Sequence, residues 1–488
     1  MAEAAGMNRT ASTEPIDPDL WDRVRVAVVA CGDAADQLLQ DRGWHRRVAV
    51  PSVGQFDSGW PNLHRSRYFP DDNAPIDFSA MFGQTSDQLT PVAYSDVPAL
   101  ATLISYVRSR EDLVDRLTIP TLSGRDEIED TWLDTQIAGL PVSLLSRARA
   151  TGVSTDESLR SLYLELERAW LVDPLPVEYV VPLALTALEL DDALVVTDCV
   201  RIEPMDAGTQ AARAPQDYSL SAVPDPVVSA ATHALVVSGC EIENPGPGRR
   251  LMSRDEDNVP LGEVELLCEA LRLVTHVGVG FAQVLRRPLG WADRWVHDLP
   301  ALTTVMTVRR YSDSLDNYGW LRAPNEIPYE SLRRLPVLVE SLRRAAPNVR
   351  LAARRLSQAA LRDADDDTTV DACIGIEALL GEGQGELSHR MALRAATALA
   401  TRAEEPSDPK VIYDLIRKVY SHRSAVVHGA RVEGSRSLIR GGRTYAASTV
   451  AVILLRELLV DVLSRPGGWT PRSLDDVLLE SITSSAEP

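Results

Sequence analysis

The chain has almost no lysine: of its 50 basic residues, all but Lys410 and Lys418 are arginine. That bias is more easily explained by genome composition than by function and carries no functional weight by itself. Cysteine is also sparse. Cys31, Cys199, Cys240, Cys268 and Cys373 form no C-x-x-C pair and no dense framework, which excludes a disulfide scaffold and suits a reducing compartment. No H-x3-H or clustered Cys/His pattern supports a metal, so neither a metal nor a cofactor is expected. Positive charge is missing overall, with a formal net charge of -20. A protein that coats nucleic acid needs a positive footprint, so any RNA contact here must be local. Long apolar runs are absent as well. The longest, Val450 to Val460, is broken by Arg456 and Glu457, and residues 1 to 20 lack the apolar core of a signal peptide. We therefore expect no membrane role and a cytoplasmic location. Gly278-Val-Gly280 lacks the rest of a nucleotide fingerprint and reads as a turn near a strand; the Gly381 to Gly385 run lacks the Lys-Ser/Thr of a phosphate loop.

What is there is 488 residues with 45% apolar and 25% charged side chains, the balance of a soluble globular protein, and a length that predicts about two to four domains. The expected class is multidomain α+β. Residues 1–15 read as disordered, 16–172 as a mainly helical domain of unknown role, 173–327 as a mixed, β-rich middle domain, 328–465 as a helical bundle and 466–488 as a tail. In the first domain helical patterns span about 17–43, 95–117, 125–149 and 155–171, around an irregular stretch at 44–92 that has room for short strands. In the second, β-branched runs at Val177–Leu185, Ala193–Ile202, His233–Val237 and Thr303–Arg309 predict strands, with one helix near Gly262–Thr275 and loops at 203–230 and 241–260. In the third, helices are expected near 329–343, 347–363, 368–380, 386–401, 410–428 and 445–464. Thr368 reads as a cap, Pro409 as a first helical residue, Gly381 to Gly385 as a turn and Gly429 as a left-handed helix end.

Each helical residue advances about 100°, so Ile412, Ile416, Val419, Tyr420, Arg423 and Val427 share one stripe, and Val370, Cys373, Ile374 and Glu377 share another. Two opposite charges thus point inward. Charges in a core persist only when paired or when the site is a wet cleft, and the economical reading pairs Glu377 with Arg423. His428 lies five residues past Arg423, about 140° further round, so the two cannot share one face of a straight helix. A histidine at a helix end exchanges protons near neutral pH, and an arginine stays charged and suits a pentacoordinate phosphate. Together they suffice in kind for RNA cleavage by the neighbouring 2'-hydroxyl, a reaction that requires no metal.

The stretches Asp371-Ala-Cys-Ile-Gly-Ile-Glu377-Ala-Leu-Leu380, Leu387-Ser-His-Arg390 and Tyr420-Ser-His-Arg423-Ser-Ala-Val-Val-His428-Gly429 resemble the Apea-like HEPN family. With Val177-Glu-Tyr-Val-Val-Pro-Leu183 the likeness covers roughly residues 170 to 465. The resemblance implies an all-helical HEPN domain and a homodimer in which two R-x4-6-H motifs face one cleft, which would answer the 140° offset. It also implies membership of a group that contains RNA-cleaving toxins, antiphage effectors and catalytically silent modules. Where many active HEPN nucleases follow the motif Arg with Asn, Asp or His, this chain has Ser424, as is usual in the Apea-like branch.

Between Glu386 and Thr444 there are 11 Lys/Arg against 6 Asp/Glu, a local excess of basic charge within an acidic chain. Arg431, Arg436, Arg440 and Arg443 follow the motif in a Gly-containing loop that can hold phosphates. The expected catalytic set is Arg423, His428 and Glu377; the expected RNA-binding set is Tyr420, Ser424, Arg431, Arg436, Arg440, Arg443 and Arg390, with tRNA among the candidate substrates. His389 and His422 read as surface histidines. The expected function is a metal-independent endoribonuclease of antiphage defence or stress, with the first two domains answering to a trigger or inhibitor. A different class of function stays open: a non-catalytic dimerisation or RNA-binding module in which Arg423 and Glu377 are a structural salt bridge and His428 complements the helix dipole.

Overall fold

The computed structural model describes residues 13–42, 46–64, 74–86, 91–119, 126–215, 223–250, 258–275, 277–382, 387–402, 407–428, 437–465 and 467–484. The architecture is mixed α+β, with a sheet-containing middle flanked by helical ends.

The first region is built from α1 (Pro18–Arg42), α2 (Pro98–Arg108), α3 (Glu111–Leu117), α4 (Asp126–Thr151) and α5 (Asp156–Leu171). Asp17 caps α1, accepting from the Leu20 amide at 2.9 Å, and Pro18 sits where its missing N–H costs nothing. Leu20, Val24, Ala27, Val28, Cys31 and Ala35 recur at helical spacing and form the buried stripe of α1, which packs on α2 and α4. Within 44–92 the described residues contain a short antiparallel pair, Ser52–Gln55 with Pro61–His64.

The middle holds a six-stranded antiparallel sheet: β1 (Leu175–Ala184), β2 (Leu194–Thr197), β3 (Val200–Pro204), β4 (His233–Ile242), β5 (Gly280–Pro288) and β6 (Thr303–Arg310), in the spatial order β6-β5-β1-β4-β3-β2. The single strand expected over Ala193–Ile202 is instead the hairpin of β2 and β3. β5 is an addition to the expected strands, because seven consecutive buried residues, Gly280 to Arg286, show no alternation. The expected loops contain short helices at Ala207–Arg213, Asp225–Ser229 and Pro247–Arg250. Helix α6 (Leu261–Thr275) packs on β4 and carries the sheet onto the C-terminal helices, with Glu269 paired to Arg350 at 3.0 Å and Glu263 to Arg343 at 2.6 Å.

The C-terminal region comprises α7 (Leu335–Arg344), α8 (Pro347–Leu361), α9 (Asp365–Leu380), α10 (Leu387–Ala400), α11 (Pro409–Val427), the hairpin of β7 (Ser437–Arg440) and β8 (Arg443–Ala446), α12 (Ala447–Ser464) and α13 (Pro471–Ser484). α9 is central and packs against α8, α10, α11 and α12. It begins three residues before Thr368, with Ala364 rather than Thr368 at the cap position. Gly429 and residues 383–386 lie outside the described residues. The expected tail contains α13, which docks on α10 through buried Leu474 and an Asp475–Arg394 ion pair at 2.6 Å. One connected cluster of buried apolar side chains runs from Leu20 through β1 and α6 to Leu474, so the three regions share a core. Among the described residues no helix is long and apolar enough to cross a membrane.

Candidate functional site

Helix α11 is positioned by its start. Asp408 accepts from the Lys410 amide at 2.9 Å and the Val411 amide at 3.4 Å, and Pro409 follows at the first helical position. From there Ile412, Leu415, Ile416, Val419 and Tyr420 are buried against the bundle. The Tyr420 hydroxyl donates to the Cys373 carbonyl at 3.2 Å and meets the Met391 sulfur at 3.3 Å, tying α11 to α9 and α10. Burial, reinforced by Cys373 and Glu377, pushes that hydroxyl far above its usual pKa, and burial pushes the Cys373 thiol up to about 12. Neither group exchanges protons at neutral pH. Tyr420, expected at the substrate, is therefore a clamp between helices, its hydroxyl engaged inside the protein.

One turn further along, the face opens to solvent. The Arg423 guanidinium stands 3.8 Å from the Glu377 carboxylate, and the two side chains are 32% and 26% exposed. Both were expected to point into the core; each is instead partly open to solvent where α9 and α11 pack together, and Val427, expected on the same inward stripe, is 54% exposed. At 3.8 Å the contact is an ion pair without the close geometry of a charge-assisted hydrogen bond, and Arg423 Nε has no hydrogen-bond partner. That Nε is buried, so only the solvent-facing part of the guanidinium, in a side chain 32% exposed, can meet an incoming anion.

His428 ends α11. Its backbone N–H donates to the Ser424 carbonyl at 3.1 Å, while its ring is exposed and forms no hydrogen bond or ion pair among the described residues. Ser424 is exposed one turn earlier. Because the chain stays helical to this point, the 140° offset between Arg423 and His428 holds, and among the described residues nothing bonds the two side chains together.

The remaining expected residues are dispersed. Arg440 pairs with Glu457 on α12 at 2.5 Å, whereas Arg443 is exposed and unpaired among the described residues. The expected loop around them is a hairpin, its two-residue turn made by Gly441 at φ 55° and Gly442 at φ 75°, both left-handed as a tight hairpin requires. Arg431 and Arg436 lie outside the described residues. Arg390, partly buried on α10, helps Arg394 hold the Asp475 carboxyl below its usual value, so its field is directed toward α13.

His389 is exposed as expected, hydrogen-bonded to Tyr413 at 2.8 Å. His422 is not a surface residue: it is 2% exposed, 4.0 Å from Asp366, and lines a cavity of about 190 Å³ with Asp365 and Ser448. His422 lies three residues past the buried Val419, an i, i+3 relation that was the available signal. Sequence reasoning also passed over Asp371, a buried carboxylate bound by Arg355 at 2.8 Å and Arg362 at 3.2 Å, which fixes α9 to α8 and the turn that follows it. Among the described residues no group of His, Cys, Asp and Glu is arranged to hold a metal ion. Compared with known proteins, the chain matches no family model, no curated protein and no solved structure.

Proposed function

We propose that the helices from α8 to α12 form an Apea-like HEPN domain and that the chain is an endoribonuclease acting without a metal, in antiphage defence or a toxin-like stress response. In this reading Arg423 binds the scissile phosphate and the charge that develops on it, and Glu377 orients Arg423. His428 moves protons, taking one from the 2'-hydroxyl as its oxygen attacks phosphorus or giving one to the departing 5'-oxygen as the P–O5' bond breaks. The products are a 2',3'-cyclic phosphate and a 5'-hydroxyl. One imidazole per chain, directed 140° from its arginine, fits a homodimer in which two motifs face one groove. Bare Val427 beside His428 offers an apolar contact for such a partner. RNA, tRNA included, is the substrate, and the regions before α8 hold the nuclease in check in the cytoplasm until a trigger arrives.

The observation that carries the reading is the loosely paired Arg423 guanidinium, 32% exposed, a little over one turn before an exposed imidazole that bonds nothing among the described residues. The buried Arg394 bonds both Asp475 oxygens and the Leu380 carbonyl, whereas Arg423 meets the Glu377 carboxylate only at 3.8 Å. The test is incubation of the full chain with total RNA and with tRNA in EDTA. Cleavage to fragments ending in 2',3'-cyclic phosphate, lost in a folded His428→Ala variant, is the expected result. RNA binding or dimerisation without cutting would instead identify a non-catalytic HEPN module.

A further inference from the structure

A cleft of about 500 Å³ opens between α10, α11 and α13, within the roughly 300–1,000 Å³ typical of small-molecule sites. Its origin is in the sequence. Leu393, Ala396 and Ala400 recur at i, i+3 and i+7 and form one stripe along α10, so the wall is apolar and, beyond Leu393, shallow. α13 crosses that stripe but is pinned to it at its beginning, by Leu474 and by the Asp475–Arg394 pair. Past that anchor Val477 and Leu478 line the opposite wall of the cleft, and Val477 remains 38% exposed. The stripe from Leu393 to Ala400 spans about 10 Å at 1.5 Å per residue.

Among the described residues that line it, the rim has one sign of charge. Lys410, one of two lysines in a chain of net charge -20, lines the mouth, and its ammonium makes no hydrogen bond or ion pair among the described residues. Asp408, the acid nearest in sequence, is engaged by the first amides of α11. Asp414 stands one turn along α11, exposed and unpaired with Lys410. Tyr413 and His389 complete the rim, hydrogen-bonded to each other at 2.8 Å with their rings edge-on. The Arg417 guanidinium lies 5.9 Å from the centre of the Tyr413 ring.

We infer that this cleft is a binding site for an amphipathic anion, an extended hydrocarbon chain bearing a single carboxylate. The chain would lie along the Leu393–Ala400 stripe under Val477 and Leu478, and the carboxylate would meet Lys410 at the mouth. The inference stands on these residues alone and holds whether or not the chain cuts RNA.

The probe is decanoate, used below its micelle concentration and titrated into the full chain by calorimetry, with 1-decanol as the uncharged comparison. Saturable binding of one decanoate per chain is expected, weakened at least about tenfold in Lys410→Glu, which corresponds to about 1.4 kcal/mol. Val477→Trp, on the exposed side of α13, fills the cleft without entering the core and should abolish binding while the circular dichroism spectrum stays unchanged. Leu478→Glu, which places a like charge on the wall, should do the same. The inference is overturned by any of three results: no saturable binding to the wild-type chain, 1-decanol binding as tightly as decanoate, or unchanged binding in folded Val477→Trp and Leu478→Glu.

Discussion

Glu377 and Arg423 face each other at 3.8 Å across the seam between α9 and α11, each side chain about a quarter to a third open to water. A sealed pair would cost on the order of 3 to 5 kcal/mol to break. At this distance and exposure the pair contributes no more than about 1 kcal/mol, because water screens both groups. Arg423→Ala should therefore keep the fold, lowering stability in urea by less than about 1 kcal/mol, while RNA cutting disappears. Arg423→Lys keeps the charge but loses the planar fork and should recover only a small part of the activity. An Arg423→Ala chain that unfolds would make the residue structural and remove the basis for the proposed nuclease.

Tyr420 separates packing from chemistry in the same helix. Its hydroxyl is turned inward to the Cys373 carbonyl and the Met391 sulfur, with the Glu377 carboxylate beside it, in a residue only 8% exposed. Tyr420→Phe removes that donor and leaves the carbonyl short of one bond, which costs about 1 kcal/mol. Thermal unfolding should show the loss, and the specific rate of RNA cutting should change less than about threefold, under 0.7 kcal/mol in the barrier. A large fall in rate with unchanged stability would return Tyr420 to the substrate.

These two residues also show what periodicity can and cannot convey. The start of α11 at Pro409 and the buried run Ile412, Ile416, Val419 and Tyr420 follow from spacing alone. Spacing gives a direction around an axis but no depth, and the depth of Arg423 is a tertiary fact. The same limit hid β5, whose residues are buried on both faces and so do not alternate. It merged β2 with β3, since the turn at Asp198-Cys199 contains no glycine or proline. The pairing of Arg440 with Glu457 joins residues on a hairpin and a helix, and no local pattern announces it.

Gly246 shows how closely the first region and the sheet are fitted. Its backbone is left-handed at φ 104°, and a Cβ there would come within 2.2 Å of the Arg116 carbonyl oxygen and 2.7 Å of its Cα. Backbone atoms of α3 cannot swing aside as a side-chain tip can. Asn244, two residues earlier, holds the segment down through the Ala169 and Val172 carbonyls at 3.0 and 2.6 Å. Gly246→Ala should lower stability by more than about 2 kcal/mol, combining backbone strain with overpacking. Urea unfolding checks this, and a loss below about 0.5 kcal/mol would mean that α3 is free to retreat.

Glu167 gives a pH signature opposite to that of an ordinary surface carboxylate. Its side chain, in a residue only 1% exposed, accepts from the Ile16 amide at 2.8 Å, the Asp17 amide at 2.9 Å and the Tyr163 hydroxyl at 2.9 Å, anchoring the start of α1 to α5. Burial raises its pKa, and these donors only partly oppose the rise. A folded value above the unfolded one means that the folded chain binds this proton more tightly. Its contribution is then full below the unfolded carboxylate value of about 4.3 and is lost as pH climbs through the raised folded value. Glu167→Gln cannot titrate, so subtracting its stability from that of the wild type isolates the group. The difference should favour the wild type more at pH 4 than at pH 7, by about 1.4 kcal/mol for each tenfold gain in the folded chain's affinity for that proton. A difference that is flat with pH, or that grows toward pH 7, would show that the three donors outweigh burial and that the carboxylate is held ionised.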